Sequence, residues 1–269
     1  MYRSSGSNLS AYSPLMLAVL FFAASAAAQE LTAPEIVERM VQAQHLSREQ
    51  ARAYVAERQY HVYKAGDNNE AKTNSEITAE ISFLPPGDKT FSIKKSTGGM
   101  AENVVRKTLE HEASVARNPG ISSVTPDNYD FQLVGKTALG DRLCYVMKIT
   151  PKRESKDLIK GFIWVDAQRF MVRRAEGKLS KNPSWWVKDV TVKVDYNDVA
   201  GLWVQTASNA TAKVRFAGDY TLNSQHLSLQ RAETSASSAP PPSSSRNAKR
   251  RLVRSEQGLA SSVGFGARP

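Results

Sequence analysis

Residues 161–216 read GFIWVDAQRFMVRRAEGKLSKNPSWWVKDVTVKVDYNDVAGLWVQTASNATAKVRF. The stretch spells four consecutive antiparallel strands. Residues 161–165 and 169–176 are apolar or aromatic runs joined by the short turn Asp166-Ala167-Gln168, a hairpin pattern. Over 187–196 the alternation is strict, with Val190, Val192, Val194 and Tyr196 on one face and Asp189, Thr191, Lys193 and Asp195 on the other. The turn Asn197-Asp198-Val199-Ala200-Gly201 then leads into a strand over about 203–216, which at roughly 3.3 Å per residue extends about 45 Å. Strands this long accumulate twist, so the sheet curls or closes. What the curl encloses becomes the functional question.

Upstream, the same one-sided pattern recurs. A strand over 54–63 places Tyr54, Ala56, Arg58, Tyr60 and Val62 on one side. Residues 77–83 (Ile77, Ala79, Ile81, Phe83) and 89–95 (with Phe91 and Ile93) follow, joined by Leu84-Pro85-Pro86-Gly87. Tyr129, Phe131 and Leu133 alternate, as do Leu143, Tyr145, Met147 and Ile149, and a weaker strand over 220–229 ends the series. Two helices interrupt them. Thr32, Pro34 and Glu35 form a helix start ahead of the apolar stripe Ile36, Val37, Met40 and Val41. Ser47 with Gln50 suggests a separate short helix or turn. After Thr97-Gly98-Gly99 a helix over 101–117 carries Val105, Leu109, Ala113 and Ala116, and Asn118-Pro119-Gly120 stops it. The fold expected is mainly β with an α lid (α+β). It is a strongly curved antiparallel sheet, or incomplete β-barrel, covered on its inner face by helices.

The two ends of the chain differ from this body. Arg3 is the only charge before an apolar run over 15–28 that closes on Ala26-Ala27-Ala28, the pattern of a cleavable signal peptide with cleavage before Gln29. The expected mature protein works outside the cytoplasm, in a periplasm if the source is Gram-negative. The single cysteine, Cys144, lies within a strand, so the chain has no internal disulfide and no lipid-anchoring cysteine at the cleavage site. The net charge is +10, and residues 231–269 carry seven Lys/Arg against two Glu. That segment, with its Thr/Ser/Ala/Pro run over 234–242 and the basic Lys249-Arg250-Arg251, reads as a disordered tail. Export argues against a nucleic-acid partner, while transient contact of the tail with an anionic membrane surface is open. The expected division is therefore a signal peptide over 1–28, one domain over 29–230 and the tail over 231–269.

Catalytic patterns are mostly missing. His111-Glu112-Ala113-Ser114-Val115 begins like a zinc-protease helix, but Val115 stands where the second histidine is needed. No nucleophile elbow, phosphate loop or dinucleotide glycine run occurs. The expectation is a non-enzyme with no metal and no cofactor. Trp185 and Trp186 sit at the entry to a strand, which would aim one indole inward and leave the other at the rim. Arg58 shares its face with apolar residues and admits two readings. Either it ties down a lid helix, for instance through backbone carbonyls, or its stem carries the guanidinium to solvent.

Several motifs resemble those of exported bacterial proteins of the outer-membrane lipoprotein-sorting family, relatives of the LolA/LolB carriers. They are Tyr129-x-Phe131-x-Leu133-x-Gly135, Cys144-Tyr145-Val146, Thr150-Pro151-Lys152-Arg153, residues 161–166, Glu176-Gly177 and Lys181-Asn182-Pro183-Ser184-x-Trp186. The resemblance covers about 31–229. It implies an incomplete barrel with a helical lid around an apolar cavity for acyl chains. The cavity residues would be Val62, Ile81, Phe83, Phe91, Ile93, Phe131, Leu133, Tyr145, Met147, Trp164, Val190, Val192, Val194 and Tyr196. The lid residues would be Ile36, Val37, Met40, Val105 and Leu109. LolA-type carriers latch the lid with an interior arginine, and Arg58 is the candidate. The implied ligand is lipid or acylated lipoprotein, with an inner-membrane extraction transporter and an outer-membrane acceptor as partners. A periplasmic sensory module on the same fold is the alternative. The basic tail, and the missing lipobox cysteine of LolB-type receptors, depart from the pattern.

Overall fold

The computed structural model describes residues 30–64 and 75–232; the expected signal peptide and nearly all of the expected tail lie outside the described residues. Ten strands and two α-helices follow in the order α1 (Ala33–Glu49), β1 (Tyr54–Lys64), β2 (Ser75–Leu84), β3 (Asp88–Ser96), α2 (Gly99–Arg117), β4 (Tyr129–Leu139), β5 (Arg142–Pro151), β6 (Ile159–Asp166), β7 (Val172–Leu179), β8 (Val187–Val199), β9 (Leu202–Val214) and β10 (Gly218–Arg231). A single 3-10 turn, Pro119–Ile121, follows α2. β10 extends to Arg231, which pairs with Tyr54, so the strand reaches the residue where the tail was expected to begin.

The strands form one antiparallel sheet in the order β3-β2-β1-β10-β9-β8-β7-β6-β5-β4. The chain therefore meanders through every neighbouring pair, and β10 closes back onto β1. The cycle is broken only between β3 and β4, where α2 makes the connection.

The sheet has to be bowed. Seven steps separate β3 from β6, roughly 33 Å if the sheet were flat. Yet adjacent residues of α2 reach both sides. Glu112 meets Lys89 on β3 at 2.6 Å, and His111 meets Asp157, just before β6, at 2.9 Å.

α1 runs without interruption through Ser47 and Gln50's neighbourhood, so the second helix start expected there is simply its last turn. A capping signature has no effect where no glycine or proline breaks the preceding turn. At the other end the capping box forms as expected, with the Thr32 amide donating to Glu35 Oε2 at 2.8 Å.

The helices divide the interior. Ile36, Val37 and Met40 of α1 pack on Tyr129, Tyr145, Met147, Ile149, Ile163 and Val165. Ala101, Val105 and Leu109 of α2 pack on Tyr60, Val62, Ile77, Ala79 and Ile81. Each of these large side chains contributes roughly 1.5–3 kcal/mol on burial.

The motif residues have structural work. Arg153 donates to Asn128 Oδ1 at 2.6 Å and to the Ile121 carbonyl at 3.0 Å, which fastens the exit of α2 to the exit of β5. Gly161 and Gly177 face one another on β6 and β7, and a Cβ on either would collide with the opposite backbone. In Asn182-Pro183-Ser184, Ser184 Oγ accepts from the Val187 amide at 3.2 Å and Asn182 Oδ1 from the Asp189 amide at 3.2 Å, setting the entry to β8.

Candidate ligand cavity and the adjoining charged cluster

Arg58 lies in the middle of β1, on the inner face its alternation required, and is 7% exposed. Its guanidinium does not reach solvent, nor does it bind helix carbonyls. Nη1 donates to both oxygens of Glu112 on α2, at 3.0 and 3.1 Å, and to the Tyr60 hydroxyl at 3.1 Å. Lys89 Nζ of β3 approaches the same carboxylate at 2.6 Å. One carboxylate on the helix thus bridges two cations on the sheet.

The electrostatics follow from burial and charge together. Burial pushes the Glu112 carboxyl up, but the charges of Lys89 and then Arg58 outweigh it, so Glu112 sits below its usual range. For Arg58 burial opposes the charged form, and Glu112 more than restores it. Burial raises the Tyr60 phenol. It also pushes Tyr196, on the inner face of β8, up to about 12, so that hydroxyl stays neutral.

Beside this cluster, at the strand ends where β8 turns into β9, lies a cavity of about 590 Å³. Leu46, Tyr54, Phe83, Met171, Tyr196 and Trp203 give it apolar wall. Arg48, Arg52, Arg58, Lys89 and Arg169 give it cationic wall. Trp203 is held in place by Nε1 donating to the Val172 carbonyl at 3.0 Å.

Of the residues expected to line an apolar cavity, Phe83 and Tyr196 do so, joined by Arg58. Val62, Ile81, Phe91 and Ile93 are packed against Val105 and Leu109 of α2. Phe131, Leu133, Tyr145 and Met147 are packed against Ile36, Val37 and Met40 of α1. The single hollow running beneath all strands is therefore filled over two regions by the helices themselves. Val190 is buried beside the bulge between Lys188 and Thr191, while Val192 and Val194 remain half-buried opposite Ala210 and Ser208.

Two expectations are corrected. Trp164 stands on the outer face, because Ile163 and Val165 take the inner one. It pairs across with Val146 and Arg174, and the Arg174 guanidinium lies over its ring at 5.9 Å. Trp185 and Trp186 are both exposed, at 71% and 46%, since they precede β8 and strand alternation does not govern them. Arg215 lies over the Trp185 ring at 5.7 Å.

Glu112 and Lys89 were missed as site residues. Glu112 follows Leu109 by three positions and Val105 by seven, so it falls on the apolar stripe of α2. Lys89 shares the parity of Phe91 and Ile93. Three charges intruding on three apolar faces were the available sign. Among the described residues no group of three or more His, Cys, Asp or Glu is placed to hold a metal ion, and no helix is long and apolar enough to cross a membrane.

The described residues thus form an open antiparallel sheet whose helices leave a cavity beside a buried cluster of Arg58, Lys89 and Glu112. The chain belongs to the family of unknown function DUF5686, whose family model matches residues 30–228. No curated protein matches it. Solved structures similar to it include a DUF1329 family protein from Desulfovibrio piger, 15% identical, aligned over 74% of this chain and 92% of that one at a TM-score of 0.39. A LolA superfamily protein from Nitrosomonas europaea is 13% identical, over 76% and 95%, at 0.33. An outer-membrane lipoprotein-sorting protein domain from Vibrio parahaemolyticus is 11% identical, over 74% and 92%, at 0.36. At these scores none of the three alignments carries an argument about what this chain binds.

Proposed function

We propose that this chain is a non-catalytic carrier that shelters the acyl chain of a lipid or acylated lipoprotein beneath its helices, after export to the periplasm through the segment 1–28. One observation carries the reading: a cavity of about 590 Å³ is lined by Arg58 and Lys89, the two sheet cations that hold Glu112 of α2. That volume falls within the roughly 300–1,000 Å³ typical of small-molecule pockets. Water exposure of an alkyl chain costs about 0.8 kcal/mol per methylene, so shelter alone supplies a carrier's affinity, with no covalent chemistry.

The lid in this reading is α2. Gly98, its N-cap, and Gly99, its first residue, have φ of +75° and +74°, a left-handed conformation suited to glycine and a natural pivot. Swinging α2 away would break the Glu112 contacts and open Val62, Ile81, Phe91 and Ile93 to a ligand, enlarging the cavity along β1–β3. Arg58 then acts as the latch. An inner-membrane donor and an outer-membrane acceptor would deliver and receive the ligand.

Native mass spectrometry of the full chain recovered from its own periplasm tests this. The expected spectrum contains a co-purified lipid or acylated peptide. A ligand-free spectrum, together with no uptake of a fluorescent fatty acid in vitro, would overturn the proposal.

A further inference from the structure

Resting on the carrier reading, we infer that the cavity selects an amphiphile with an anionic head group, a carboxylate or phosphate on an alkyl chain. The cavity wall holds five cationic side chains and one carboxylate, Asp198. Asp198 is already taken, with Arg169 Nη1 at 2.6 Å. Deep in the wall, Arg58 and Lys89 share Glu112 and are compensated. At the mouth the situation differs. Among the described residues Arg52 donates only to the carbonyls of Gln50 and Ala51, at 3.2 and 3.1 Å, and Arg48 makes no ion pair.

Arg48 lies in the last turn of α1 and Arg52 three residues past its end. Both residues are exposed and both line the cavity, so their charge is available to whatever occupies the opening. The wall behind them carries an apolar part, from Leu46 on the helix to Phe83, Met171 and Trp203 on the sheet, beside the compensated Arg58 and Lys89. Cations at the rim and hydrocarbon within complement a negative head on a greasy tail. A neutral glyceride would leave the rim charges unanswered, and a free inorganic anion would leave the apolar wall facing water.

The test titrates the full chain with lauric acid, lauryl phosphate and monolaurin, which share one alkyl chain, and with inorganic phosphate. Binding is read by calorimetry and by emission of the cavity-wall Trp203. Lauric acid or lauryl phosphate should bind at least about tenfold tighter than monolaurin, and Arg48→Gln with Arg52→Gln should remove most of that preference, at about fivefold per surface charge. Both variants alter exposed positions, and unchanged thermal unfolding confirms their folding. Comparing the two anionic probes separates carboxylate from phosphate. Equal affinity for monolaurin overturns the head-group inference and leaves the carrier standing. Inorganic phosphate binding as tightly as lauryl phosphate overturns the amphiphile. No binding by any alkyl probe overturns the inference and the carrier reading together.

Discussion

The two helices cover the two halves of one sheet in different ways. α1 meets β4–β7 with no ion pair among the described residues: Ile36, Val37 and Met40 pack against Met147, Ile149 and Ile163, and the Arg39 guanidinium lies over the Phe170 ring at 5.2 Å. α2 meets β1–β3 through a comparable apolar set, but Glu112 of the helix and Arg58 and Lys89 of the sheet are added at the same interface. An apolar contact strengthens with area and has no switch. An ionic one within an apolar contact depends on a particular carboxylate being charged and in place. In the proposed carrier the α1 half would be the fixed wall, and the α2 half the part that lets go.

The largest effect that would sharpen this contrast is in the fixed half. Met147→Asp buries an unpaired carboxyl against α1 and should cost more than about 4 kcal/mol, enough to abolish cooperative unfolding of a native state. A folded variant with only local loosening would break the comparison. In the other half, Glu112→Gln leaves Arg58 and Lys89 uncompensated and should cost about 3–5 kcal/mol. Here hydrogen exchange should rise in α2 while α1 and β4–β7 stay protected; uniform exchange across both halves would count against a separable lid. Arg58→Met leaves the Lys89–Glu112 pair intact, so its cost should be smaller, about 1–3 kcal/mol, again confined to α2.

A gentler probe is acid. Glu112's pKa in the fold lies below its ordinary value of 4.5. A depressed carboxyl contributes stability that is present above the unfolded value and is lost as pH falls through the folded one. The protection of α2 should therefore hold at neutral pH and begin to fail only below about 4.5, and Glu112→Gln should remove that step. A step of the same size in the variant would assign it to other carboxylates. The smallest effect concerns the outer face: Trp164→Phe should change stability by less than about 0.5 kcal/mol, as expected for a half-exposed ring outside both clusters.

Much of the architecture could be read from period alone. The strict alternation over 187–196, and the apolar face of 77–83, gave strands whose pairing the sheet bears out. Period could not say which face of a continuous apolar run turns inward, and so Trp164, between Ile163 and Val165, was misassigned. Nor could it place the boundaries of turns. The hairpin after β6 runs to Met171, whose carbonyl accepts from the Asp166 amide at 2.9 Å, beyond the three residues expected. The site was legible in one half only. Arg58 stood out as a charge on an apolar face, but its partner required knowing that a residue 54 positions away lies opposite. The extent of the hollow depends on how far helix side chains fill it, which is a matter of three-dimensional packing that no local pattern encodes.

β3 is the outermost strand on its side of the sheet, and α2 is packed against the apolar surface next to it. Each time the helix departed, a greasy surface and a row of unpaired backbone groups would be bared side by side, a template on which another chain could add a strand. An opened molecule left waiting would be prone to self-association, so in the proposed carrier opening would be confined to the moment of handover, with a partner or the cargo itself already in position to cover what the helix leaves.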